Sequence, residues 1–113
     1  MTDEIKFDDF LKVDIRVAQI IEAQLFPKAR VPSYRLTLDL GPELGVRKSC
    51  AHLPQRYELE ELQGKKIICV INFPEKQIGP HKSQVLVLGV PDEDGEAILL
   101  EPERDVPLGG RVF

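Results

Sequence analysis

The chain has 113 residues, 42% hydrophobic and 30% charged, with a net charge of −4 and no tryptophan. That length suits a single domain over residues 1–113 with one core, hiding roughly two-thirds of the unfolded surface. The longest aliphatic run, residues 67–71 (IICVI), falls far short of the roughly 20 residues of a membrane helix, so no membrane insertion is expected.

In chain order, residues 1–12 predict a short N-terminal helix. Thr2 or Asp3 stands at its start, acids fill its first turns, and Phe10 and Leu11 join Ile5 or Phe7 on one apolar side. The acidic opening has no apolar h-region and is not a secretory leader, which makes a cytoplasmic location the expectation. Residues 13–17 (VDIRV) then alternate with period two. The strand continues to about Ala23, and its phase changes near Ala18 and Gln19, as a bulge in a strongly bent strand requires.

Residues 34–40 (YRLTLDL) alternate cleanly as a second strand. A glycine- and proline-bearing turn at 41–45 leads into a third strand at 46–51. Residues 53–62, closed by Gly64, predict one or two turns of helix. Residues 67–71 and 85–88 lack alternation and read as buried strands, and residues 97–100 follow the tight turn at Asp94-Gly95. The pattern predicts an all-β fold: a small five-stranded barrel of the oligonucleotide/oligosaccharide-binding (OB) type, with a short helix between strands 3 and 4 and another at the N-terminus. An open β-sandwich is the alternative.

Charge is unevenly spread. Residues 1–23 carry net −3, residues 24–84 net +4 and residues 85–113 net −5. A fold that gathers the central cations on one face attracts phosphates despite the acidic total. Two separated segments hold most of the donors. Lys28, Arg30 and Arg35 surround Pro27 and Pro32 between the first two strands, and Lys76, Gln77, His81, Lys82 and Ser83 lie between the fourth and fifth, with Arg47, Lys48 and Ser49 opening the third. In a small barrel these two connections flank one binding face, so they are expected to wall a recognition groove; ordinary loop solubilisation is the alternative.

Catalytic and metal patterns are sparse. None of the common nucleotide-binding, hydrolase or zinc-protease motifs occurs. Cys50 and His52 share a strand face, but a nucleophilic cysteine also needs an oxyanion donor and an orienting group, and none is visible. Cys50, His52, Cys69 and His81 match no zinc-finger or ribbon spacing. Two reduced thiols, no enzyme activity and no cofactor are the expectation.

Residues 10–17 (FLKVDIRV), 26–36 (FPKARVPSYRL), 72–79 (NFPEKQIG) and 83–89 (SQVLVLG), in that order, resemble the tRNA-binding domain family over about residues 7–112. They are most similar to its stand-alone branch, the CsaA secretion chaperones. The resemblance implies an OB barrel, a homodimer and no catalysis. It also implies an export-related chaperone that binds unfolded or precursor polypeptides and the secretion ATPase SecA, with capacity for tRNA. The alternative it leaves is a tRNA-binding module recognising tRNA shape through a basic groove.

Carried over residue by residue, the RNA- or peptide-binding face falls on Lys28, Arg30, Arg47, Ser49, Asn72, Lys76, Gln77 and Ser83. The dimer interface falls on Phe7, Phe10, Leu11, Val106 and Val112, within the N-terminal helix and the segment 102–113. This chain departs from the family pattern at Gln84, where glutamate is usual, at His52, where glutamine is common, and at the His81-Lys82 pair.

Overall fold

The computed structural model describes residues 2–26 and 33–113. The longest element, β1 (Ile15–Phe26), organises the rest. Its first half pairs antiparallel with β4 (Lys66–Val70), from Ile15↔Val70 to Gln19↔Lys66, and its second half pairs with β2 (Ser33–Asp39), from Gln19↔Asp39 to Phe26↔Ser33. One strand can serve two neighbours in this way only by bending. The register shifts between Ile20 and Glu22, which leaves Ile21 as the extra residue, turned outward. The bulge therefore lies slightly beyond the expected Ala18-Gln19 position.

β3 (Val46–Ala51) returns along β2 through a turn in which Gly41 and Gly45 both take positive φ. With β7 (Leu86–Val87) beside β4, the curled antiparallel sheet runs β3-β2-β1-β4-β7 and forms a half-barrel of the OB type. Its concave side is packed with Ala18, Ile20, Leu36, Leu38, Leu62 and Ile67, all fully buried. Each such leucine or isoleucine stabilises the fold by roughly 1.5–3 kcal/mol. Alternation in β2 sets this up, since Tyr34, Leu36 and Leu38 point in while Arg35 and Thr37 point out.

The barrel closes along β3 with few backbone bonds. Gln84 N–H donates to the Lys48 carbonyl at 2.8 Å. The Gln84 side-chain carbonyl accepts Lys48 N–H at 2.8 Å, and the Ser83 hydroxyl accepts Cys50 N–H at 3.3 Å. On the core side of this seam, the Ser49 hydroxyl donates to the Val85 carbonyl at 2.8 Å. The chain thus leaves β3 at residue 85 to join β4. For that reason the expected 85–88 strand meets β4 only from Leu86 onward, with Leu88 N–H still donating to the Ile68 carbonyl at 2.9 Å.

Between β4 and β7 lies a hairpin that the sequence did not announce, β5 (Lys76–Ile78) with β6 (His81–Ser83). A second, β8 (Gly89–Pro91) with β9 (Ala97–Leu99), carries the Asp94-Gly95 turn.

The N-terminal helix is shorter than expected. α1 covers Phe7–Leu11; it is capped by the Asp9 carboxylate, which accepts Lys6 N–H at 3.1 Å, and neither Thr2 nor Asp3 caps it. Ile5 and Phe7 are exposed, and Phe7 meets only the Phe10 ring of its own helix among the described residues, so no tertiary contact there extends the helix toward its start. α2 (Leu59–Leu62) plugs one barrel end with Leu62, and its chain turns at Gly64, φ 88°. The C-terminal segment laces onto β1: Gly109 N–H donates to Val17 O, Val17 N–H to Gly110 O and Val112 N–H to Ile15 O. No helix among the described residues is long and apolar enough to cross a membrane.

Candidate nucleic-acid and peptide interface

Strand parity sorts the polar side chains of the barrel wall. In the β2–β3 register, Leu36 faces Ser49 and Leu38 faces Arg47 on the core side, while Arg35 faces Cys50 and Thr37 faces Lys48 on the outside. The Lys48 ammonium donates to the Thr37 hydroxyl across the outer face at 2.7 Å. At the end of this face the Ser33 hydroxyl lies 2.6 Å from His52 Nδ1.

The β5–β6 hairpin stands against the same end. The His81 ring meets the Phe26 ring edge-on at 4.9 Å, and a Cβ at Gly79 would lie 3.4 Å from that ring. Phe26 is only 4% exposed, so it is a packing residue that seats the hairpin.

Two depressions share Lys76, Ser83 and Leu86. One of about 210 Å³ adds Phe73, Pro74 and Val85. The other, of about 310 Å³, runs between the end of β3 at Cys50–Leu53, the hairpin at Ile78, and Val87, Ala97 and Leu99. Phe73 and Leu86 are about half exposed, which makes an apolar floor with a lysine at its rim.

The predicted site residues divide. Lys28 and Arg30, with Pro27 and Pro32, lie outside the described residues; Phe26 and Ser33, which flank them, sit beside the hairpin and His52 respectively. Lys76, Gln77 and Ser83 come together on the β5–β6 hairpin. Lys76 pairs with Ser83, both Lys76 and Gln77 are exposed, and the Gln77 amide donates to Gly79 O at 2.6 Å.

Ser49 is 1% exposed and bonded into the seam, facing no solvent. Arg47 is half-buried on the core side of β3 and donates to the Ile71 carbonyl at 3.3 Å. Asn72 is exposed, yet both ends of its amide are used. It accepts Asp14 N–H at 2.9 Å and donates to Lys12 O at 2.6 Å, clasping the exit of α1 to the end of β4. Arg47 and Asn72 thus belong to the Asp14 end of the barrel.

Sequence reasoning grouped Arg35 with the preceding loop and passed over Lys48 in the site assignment. Alternation from Leu36 and Leu38 places Arg35 on the outer face, and the register across the 41–45 turn, which sets Lys48 opposite Thr37, places Lys48 there too.

At the Asp14 end, the carboxylate lies 2.6 Å from Arg16 Nε. That hydrogen bond, aided by the charges of Arg16, Arg111 and Arg47, holds the Asp14 carboxyl below the usual carboxylate range. Arg111 also donates to Leu11 O at 2.7 Å, which joins the terminal segments carrying the predicted interface residues. Phe7 is 70% exposed and Leu11 43%, whereas Phe10, Val106 and Val112 are half-buried.

The thiols are poor nucleophiles. Burial pushes Cys50 up against the opposing charge of Arg35, and pushes Cys69 up to about 11. His52 bonds Ser33, Cys69 is sealed in the core and His81 packs on Phe26, so the four candidate zinc ligands do not gather. Among the described residues no three His, Cys, Asp or Glu side chains cluster for a metal.

A family model described as "Putative tRNA binding domain" matches residues 15–111. The chaperone CsaA of Bacillus anthracis superposes with a TM-score of 0.92 at 41% identity, covering 98% of this chain and 100% of that one. The CsaA chaperone protein of Picrophilus torridus gives 0.89 at 42%, covering 97% and 100%. A methionine–tRNA ligase of Methanococcus aeolicus is 40% identical over 108 residues, 96% of this chain but only 15% of that enzyme's length.

Proposed function

This chain belongs to the tRNA-binding domain family, and from that premise we propose that it is a non-enzymatic chaperone of the CsaA type, holding unfolded or precursor polypeptides and also binding tRNA. The observation that carries the polypeptide half is the pair of apolar depressions meeting at Lys76, Ser83 and Leu86. A folded client exposes few aliphatic or aromatic side chains free to insert there; an unfolded one exposes many. Filling a depression with one side chain contributes roughly 1.5–3 kcal/mol, enough for weak, reversible and sequence-tolerant holding. Lys76 at the rim adds attraction for acidic segments without specifying a sequence.

The tRNA half is supported by the family membership and by the outward cations Arg35, Lys48 and Lys76, to which the sequence adds Lys28 and Arg30. The chain acts as a homodimer in this reading, its partners being precursor proteins and, in the cytoplasm, the secretion ATPase SecA. Support for pairing comes from Ile5, Phe7, Leu11 and Phe113, all exposed on the terminal segments.

The test is titration with a labelled unfolded precursor peptide and with the same protein folded. The unfolded form should bind, and Leu86→Ala or Phe73→Ala should weaken it several-fold. Equal and negligible affinity for both forms would remove the chaperone assignment.

A further inference from the structure

Among the described residues, the Arg35 guanidinium has one nitrogen with nothing to bond. The residue lies in the middle of β2, between Gln24 on β1 and Cys50 on β3, on the outer face of the barrel. Its Nε is sealed from solvent and has no hydrogen-bond partner, the one side-chain nitrogen or oxygen among the described residues in that condition. No carboxylate among the described residues pairs with it.

The polar side chains nearby on the sheet bond one another, and none accepts from the Arg35 Nε. Glu22 accepts from the Gln24 amide at 2.6 Å, Thr37 accepts from Lys48 at 2.7 Å, and His52 is engaged with Ser33 at 2.6 Å. Buried polar groups in folded proteins are almost always satisfied, so a guanidinium held with its Nε unmet is a free state that carries a cost. A ligand that draws the guanidinium outward and supplies an acceptor to its Nε–Nη edge removes that cost.

We infer that Arg35 is a phosphate-reading residue, engaging one phosphodiester of bound RNA in a two-pronged contact on the outer face of β2. The planar fork matches two oxygens of one phosphate, and it pairs with phosphates more directionally than a lysine does. RNA is favoured over peptide by the surroundings: Lys48 stands on the same face two residue pairs along, and the segment 24–84 carries net +4. A polypeptide offers such an anion only at scattered acidic side chains, whereas RNA offers one at every nucleotide. Cys50, the cross-strand neighbour, adds no competing charge because burial keeps its thiol protonated. This inference rests on the tRNA-binding half of the proposed function.

The experiment compares wild type, Arg35→Met, Arg35→Lys and a control, Arg104→Met, which removes a cation that is 89% exposed and far along the chain. Each is titrated with tRNA over a salt series and with the unfolded precursor peptide, and its thermal midpoint is recorded. Arg35→Met should lose about tenfold in tRNA affinity and flatten the salt slope by about one. It should do so with an unchanged or raised thermal midpoint, because the unmet donor is gone.

Arg35→Lys should keep the wild-type slope while losing several-fold in affinity, since charge survives and the fork does not. Peptide binding should be unaltered in both. Wild-type tRNA affinity in Arg35→Met, a loss no greater than that of Arg104→Met, a fallen thermal midpoint tracking the loss, or an equal loss toward the peptide would each overturn the inference. No tRNA binding by the wild type would remove the reading on which it rests.

Discussion

Replacing Ser49 with alanine separates a seam residue from a ligand contact. The hydroxyl is 1% exposed and donates to Val85 O at 2.8 Å, and Val85 is itself 4% exposed. Deleting it leaves a buried carbonyl short of its better donor, a loss of about 1–3 kcal/mol in general. The low end applies, because the Ser83 hydroxyl, 3.3 Å from the same carbonyl, remains as a second donor. Ser49→Ala should therefore cost about 1 kcal/mol, lowering the thermal midpoint of a chain this size by about 4 °C.

Adding Ser83→Ala removes the remaining donor and the acceptor for Cys50 N–H at 3.3 Å, so the double variant should lose more than the two single losses together. Urea unfolding of the four proteins measures the coupling. Salt-series titration with tRNA should find Ser49→Ala indistinguishable from wild type. Unchanged stability together with weakened tRNA binding would refute the argument and return Ser49 to the binding face.

The Asp14 carboxyl is harder to protonate folded than unfolded, so its stabilisation is complete above its unfolded value near 4 and is lost as pH falls through the lower folded value. Urea midpoints should therefore drop across that acidic window, and Asp14→Asn should flatten the drop while costing about 1–2 kcal/mol at neutral pH. Gly109 has φ 81°, and a Cβ there would lie 2.6 Å from Leu40 O, so Gly109→Ala should cost about 2 kcal/mol or more by chemical denaturation. If the terminal segments pair two chains, Phe7→Glu should convert the sedimenting species from two chains to one and abolish any concentration dependence of the thermal midpoint; an unchanged sedimentation coefficient would exclude that surface.

β2 could be read because its side chains alternate against a single core, and β4 because its unbroken aliphatic run is that of a buried strand. Tyr34, Leu36 and Leu38 announce β2 and its inward face. The β5–β6 hairpin could not be read this way: Lys76, Gln77, His81 and Lys82 have no alternating apolar partner, and the hairpin is seated instead by Phe26, fifty residues earlier. Ser49 looked like a ligand donor because a hydroxyl does not reveal which way it points. The five-residue turn at 41–45 fixes the register that puts Ser49 opposite Leu36, and counting across that turn would have placed it inside. Asn72 was misleading for another reason: its two partners, Lys12 and Asp14, are sixty and fifty-eight residues away. The pairing of the two basic segments rests, on one side, on Lys28 and Arg30, which lie outside the described residues.

β1 is shared property. Its partners arrive in sequence: β2 just downstream, β4 some fifty residues later, and residues 109–112 at the far end of the chain. Assembly then has an order imposed by geometry. The β1–β2 hairpin is the local, quickly closed piece, and the strap at Gly109 and Val112 is the final clasp, attached to a strand whose other half was committed long before. A ribbon claimed early at one end and late at the other makes the half-barrel tighten from Phe26 toward Ile15.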